Sequence, residues 1–107
     1  MTTTDAVNVV AIFQPLDGHR AEVLAALDTA IPLVHDEPGC ELYAITEADD
    51  GRIVMIEKWT TVEQLDAHGA GQPVATLVAA LDGHLAAPVE VIRLTPLPVG
   101  DAVKGSL

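Results

Sequence analysis

Val7 to Gln14 (VNVVAIFQ) is apolar or β-branched at nearly every position, the pattern of a strand covered on both faces. Pro15 and Gly18 end it. From His19 onward, Val23, Leu24, Leu27, Ala30, Ile31 and Val34 recur at helical spacing, which predicts a helix of about four turns with one apolar stripe. Pro32 lacks an amide proton and crowds the carbonyl of Asp28, so a kink is expected there. Pro38-Gly39 stops the helix. Cys40 to Glu47 and Arg52 to Trp59 then read as antiparallel strands joined by the turn Ala48-Asp49-Asp50-Gly51, where Gly and to a lesser degree Asp accept positive φ. On the second of these strands Ile53, Met55, Glu57 and Trp59 share one face, with Val54, Ile56 and Lys58 on the other.

Thr60 or Thr61 can N-cap a short second helix, with Glu63 or Gln64 three residues on completing a capping box. Gly69-Ala70-Gly71 ends it. After Pro73, Val74, Leu77, Val78, Leu81 and Leu85 mark a further helix, loosened at Gly83. Val89 to Leu94 forms a last strand, and Thr95-Pro96-Leu97-Pro98 starts a tail that cannot pair as a central strand. The order β-α-β-β-α-β is the ferredoxin-like α+β plan, a four-stranded antiparallel sheet with helices on one face. Because the strands are apolar on both faces, the open face would leave a patch larger than monomers carry. A homodimer, sheet against sheet, is therefore expected. The sequence reads as a single domain over residues 1–107, with a core at about 7–95 and a tail, 96–107, able to reach the partner subunit.

Charge narrows the partners. With 5 basic against 16 acidic residues and a formal charge of -11, the chain repels nucleic-acid phosphates and anionic lipid, so neither nucleic acid nor membrane is an expected partner. Met1 to Ala6 lacks the basic start and apolar run of a signal peptide, and no apolar run approaches the roughly 18 residues of a membrane span. A cytoplasmic location is expected. Cys40 is the sole cysteine, which excludes an internal disulfide, and flanking Glu37 and Glu41 would raise its thiol pKa. His19, His35 and His84 show no ligand spacing, so no metal site is expected.

Several pieces in order, Glu37-Pro38-Gly39-Cys40, Tyr43, Glu57-x-Trp59 and Leu65-x-x-His68, resemble the antibiotic biosynthesis monooxygenase family of dimeric α+β barrels, from about Val7 to Thr95. The resemblance implies a ferredoxin-like dimer with a cavity between sheet and helices in each protomer. Some members oxidise polycyclic phenols to quinones with molecular oxygen and without flavin, haem or metal, while others degrade haem or isomerise or cleave small metabolites. The fold thus hosts several chemistries. Quinone-forming members carry an Asn four residues before the tryptophan, where this chain has Met55. Haem-degrading members place a ligand His where Val78 stands, so haem is not expected. The resemblance implies a cofactor-independent monooxygenase acting on a phenolic or enolic small molecule. The alternatives are a non-enzymatic dimeric binding module for an apolar metabolite, or an isomerase or lyase of the same fold.

Each candidate site residue has two readings. His68 shares a helix face with Leu65, so it is either a general base turned toward the sheet or a helix-end histidine bonded to backbone. Trp59 is either a flat wall for substrate, its indole N–H donating to a carbonyl or peroxide, or core packing. Glu57 is an acid or the orienter of His68, or else an ion-pair partner of Arg52 or Arg93. Tyr43 either donates its hydroxyl to substrate or fills the core. Phe13, Met55, Leu65 and Val78 are expected to line the pocket.

Overall fold

A computed structural model describes residues 6–107 of the chain. The first strand, β1, spans Val7–Phe13, and a 16-residue helix, α1, follows at Arg20–His35. The hairpin strands are β2, Cys40–Glu47, and β3, Ile53–Trp59. Two helices come next, α2 at Val62–Gly69 and α3 at Gln72–Leu81, and the last strand is β4, Glu90–Leu94. The sheet order is β2-β3-β1-β4, all antiparallel, which is the ferredoxin-like α+β arrangement the element order predicts.

The pleat sorts the strands cleanly. Val9, Ala11, Phe13, Ile53, Met55, Glu57 and Trp59 are all buried beneath the helices. Their alternates Val10, Ile12, Val54, Ile56 and Lys58 form the other face and are half-buried, while Leu42 and Ile92 on the outer strands are exposed. Helix α1 buries Val23, Ala26, Leu27, Ala30 and Val34, a spacing that keeps one stripe on the core. It packs on β2 and α3. Pro32 lies inside the helix without ending it; Pro32 and Asp28 are both exposed, so water can take the carbonyl that the missing amide leaves unpaired.

One expectation holds and one is corrected. The segment after β3 is two helices, as the glycines and Pro73 predict, with Gly71 in an extended conformation capping α3. The apolar spacing that carried the helix to Leu85 overshoots: α3 ends at Leu81, Gly83 turns left-handed at φ 82°, and Leu85 pairs with Pro15 in an isolated bridge. Beyond β4 the tail folds on itself, with the Asp101 carboxylate accepting from the amides of Val103 and Lys104. Leu97, Val99 and Val103 stay exposed there. Among the described residues no helix is long and apolar enough to cross a membrane.

Candidate active site

Chain segments far apart in sequence meet under the helices. The Thr61 hydroxyl accepts from the Gln64 amide and fixes the start of α2. One turn later, Leu65 and His68 are the two buried residues of that helix, so the apolar contact of Leu65 turns His68 inward. From the other side comes the turn after α1. Gly39 adopts φ 85°, and its carbonyl accepts the Thr60 amide at 2.9 Å, tying the turn to the end of β3. That placement carries Glu37 to His68, where its Oε1 accepts from Nδ1 at 2.6 Å. Both side chains are largely buried, at 7% and 17% exposure.

The orienting carboxylate of His68 is therefore Glu37, a correction to the expectation for Glu57. A carboxylate only accepts, so in the neutral ring the proton sits on Nδ1 and Nε2 keeps its lone pair. Nε2 makes no hydrogen bond to the protein among the described residues. The signal for Glu37 lay in the sequence, as an acid directly before the Pro-Gly turn, but its partner is 31 residues away.

Glu57 is paired differently from the ion pairs expected of it. Arg52 holds Asp50 and Arg93 holds Asp66, whereas the Glu57 carboxylate accepts the Trp59 indole N–H at 3.0 Å. Burial pushes the Glu57 pKa up, and the Trp59 hydrogen bond and the charge of His68 offset part of that rise. The indole nitrogen is thus already engaged and Trp59 is fully buried. Its ring lies 4.5 Å from that of His68 and tilted by 32°, a backing plate for the imidazole in place of the substrate wall expected for it.

In front of this cluster is a cavity of about 250 Å³, lined by Phe13, Tyr43, Glu57, Leu65, His68 and Val78 among others. Met55 is not on its wall. That side chain is fully buried in the core, opposite Ala11 and Ile45 in register. Unforeseen lining comes from Arg93 and Val91 on β4 and Val74 and Leu77 on α3. In the sheet, Tyr43, Glu57, Val9 and Arg93 form one cross-strand row. Arg93 donates to Asp66 of α2 at 2.6 Å, bridging sheet and helix at the cavity edge. The Tyr43 hydroxyl pKa is raised far above its ordinary range by burial first and then by Glu57, Glu37 and Cys40, so it remains a donor at any physiological pH. The Cys40 thiol is also pushed up, by burial and by Glu37 and Glu57, which leaves it a poor nucleophile.

A four-stranded antiparallel sheet, roofed by helices that hold a carboxylate-bonded histidine on the wall of a small apolar cavity, defines a ferredoxin-like α+β domain with a candidate site at that histidine. The chain belongs to the antibiotic biosynthesis monooxygenase family, whose model matches residues 6–87. It is 33% identical over 100 residues to the "Putative monooxygenase Rv0793" of Mycobacterium tuberculosis, spanning 92% of this chain and 99% of that protein. The solved structure of Rv0793 superposes with a TM-score of 0.83 at 31% identity, covering 90% of this chain and 99% of the other. A putative antibiotic biosynthesis monooxygenase from Caulobacter crescentus shares the fold at a TM-score of 0.77 and 24% identity, over 85% and 89% of the two chains. A conserved protein from Methanosarcina mazei shares it at 0.80 and 22%, over 85% and 92%. Family membership supports monooxygenase chemistry at that level and names neither substrate nor cofactor.

Proposed function

We propose that the protein is a cofactor-independent monooxygenase that oxidises a phenolic or enolic small molecule with molecular oxygen. The observation that carries this reading is the 2.6 Å contact between Glu37 and His68, which leaves a basic Nε2 on a residue of the cavity wall. In the proposed reaction His68 takes a proton from the substrate, and the electron-rich anion passes one electron to oxygen. The resulting radical pair joins as a carbon-bound peroxide. Loss of water then leaves a carbonyl: a CH2 group and O2 become C=O and H2O, the two carbon-bound hydrogens departing as protons with one oxygen. Glu57, with its raised pKa, is the proposed acid for the departing hydroxide. Tyr43 would donate to the substrate oxygen, and Arg93 would favour the anion.

The cavity, at about 250 Å³ somewhat smaller than the usual ligand site, suits a compact aromatic substrate. Oxygen uptake with naphthol-like and anthrone-like compounds, without added cofactor, tests the reading. His68→Ala is expected to lose about 100-fold or more in kcat; equal rates for the variant and the wild type would remove His68 from the mechanism.

The same proposal includes a homodimer and a cytoplasmic location. The open face carries Val10, Ile12, Val54, Ile56 and Ile92. A facing second chain would cover these apolar side chains, and the exposed tail residues Leu97 and Val103 would reach across. A stable monomer at micromolar concentration in sedimentation would refute this arrangement.

A further inference from the structure

Away from the cavity, two histidines 65 residues apart face each other, Nδ1 to Nδ1, at 2.9 Å. His19 precedes α1 as its N-cap residue. His84 lies in the loop between α3 and β4, beside the left-handed Gly83. Two backbone bonds lock these loops together: the Leu16 amide donates to the His84 carbonyl at 2.9 Å, and the Ala86 amide to the Gln14 carbonyl at 2.7 Å. The juxtaposition is therefore set by main chain and does not depend on the imidazoles attracting each other. Glu22, one turn into α1, completes a group whose ligand atoms lie within 4.8 Å of one another. The sequence spacing that argued against a metal site missed it, because the grouping is made by the Pro15–Leu85 bridge and not by a local motif.

We propose that His19, Glu22 and His84 form a binding site for a borderline divalent transition ion, with Zn2+ as the probe. Two imidazole nitrogens and a carboxylate are ligands that Zn2+ takes readily, and three protein ligands leave a position for water. Nitrogen ligands of a tetrahedral zinc stand about 3.4 Å apart, so the imidazoles need to part by only about half an ångström. Glu22 is exposed and free to swing in. Its negative charge in the first turn also offsets the helix dipole, which by itself would disfavour a cation there. The ion would fasten the start of α1 to the loop at residues 82–88, whose Gly83, Leu85 and Ala86 line an open groove of about 430 Å³. That groove shares Val78, Leu81 and Val89 with the cavity.

The test uses the full chain stripped with chelator and then dialysed against micromolar ZnCl2. One zinc per chain is expected by elemental analysis, with a rise in Tm of about 5 °C or more. In nitrogen-15 spectra of the wild type, the Nδ1 signals of His19 and His84 should move while those of His35 and His68 stay. His19→Ala and His84→Ala should each weaken zinc by more than about 100-fold, and Glu22→Gln by less. No retained zinc, or binding unchanged in His84→Ala, would overturn the proposal. So would zinc-dependent shifts at His35 or His68 in place of His19 and His84, a reading that needs no variant to fold.

Discussion

The hydrogen bond from Trp59 to Glu57 can be weighed without knowing any substrate. It joins a fully buried indole to a carboxylate at 5% exposure across 3.0 Å. Trp59→Phe removes the donor and roughly two to three methylene equivalents of packing, about 2 kcal/mol at ~0.8 kcal/mol each. Leaving the carboxylate unpaired adds about 1.5–3 kcal/mol, the range for a hydrogen bond to a charged group. In a Glu57→Leu background only the packing part should remain. A double-mutant cycle at pH 8 is thus expected to give a coupling of about 1.5–3 kcal/mol. The assay is urea denaturation followed by far-UV circular dichroism, since Trp59 is the only tryptophan and its fluorescence is lost with it. As pH falls through the raised pKa of Glu57, the acceptor becomes neutral and the coupling should drop to about half. Additivity of the two substitutions within about 0.5 kcal/mol at pH 8 would show that the bond contributes nothing net, and the reasoning would fail.

Glu57→Gln keeps the side-chain volume and an acceptor for the indole while removing the buried charge. Because burial raises the folded pKa, wild type loses stability as pH rises from about 4.3, the unfolded carboxyl value, through that folded value. The Gln variant lacks this loss, so its advantage in urea midpoint should grow across that window and then level off. Glu37→Ala frees the Nδ1 side of His68 and should lower kcat by about 100-fold or more with little change in KM, read in the oxygen-uptake assay. Gly39→Ala combines positive φ with a Cβ that would strike the Gln64 side chain, and should cost about 1–2 kcal/mol from the backbone alone, read by denaturation. Pro32→Ala restores the missing helix hydrogen bond at an exposed position and should raise stability by up to about 3 kcal/mol.

The strands and the hairpin turn were legible because β-branched apolar runs and turn glycines are local signals. Which face of β1 lies under the helices was not, since Val10 and Ile12 are as apolar as Val9 and Ala11; Gly51 declares its turn. The helix after β3 was less so: Leu85 fits the spacing of Leu77 and Leu81, yet Gly83 and the pairing of Leu85 with Pro15 decide where α3 ends, and such a pairing leaves no periodic trace. At the site, the inward turn of His68 followed from Leu65, but its partner did not. Glu57 shares a strand face with Trp59 and was the carboxylate expected to orient His68, whereas the contact is made by Glu37, carried in by the turn after α1. Met55 and Trp59 share the face of Glu57, yet only Glu57 reaches the cavity. Face assignment fixes direction along the pleat, and depth behind His68 and Tyr43 depends on tertiary packing.

The meeting of Glu37 with His68 also sets where this chain can tolerate a change of length. A helix advances about 1.5 Å and turns about 100° per residue, so α1 acts as a ruler whose end delivers a carboxylate to a hydrogen-bonding distance of 2.6 Å. Deleting one residue anywhere between Arg20 and Val34 would leave a helix of ordinary length and an almost unchanged composition, yet swing Glu37 away from the imidazole. Insertions at Ala48–Gly51 carry no such penalty. Working relatives with a histidine at this position should therefore vary in length at the hairpin and in the tail, and keep α1 to the residue.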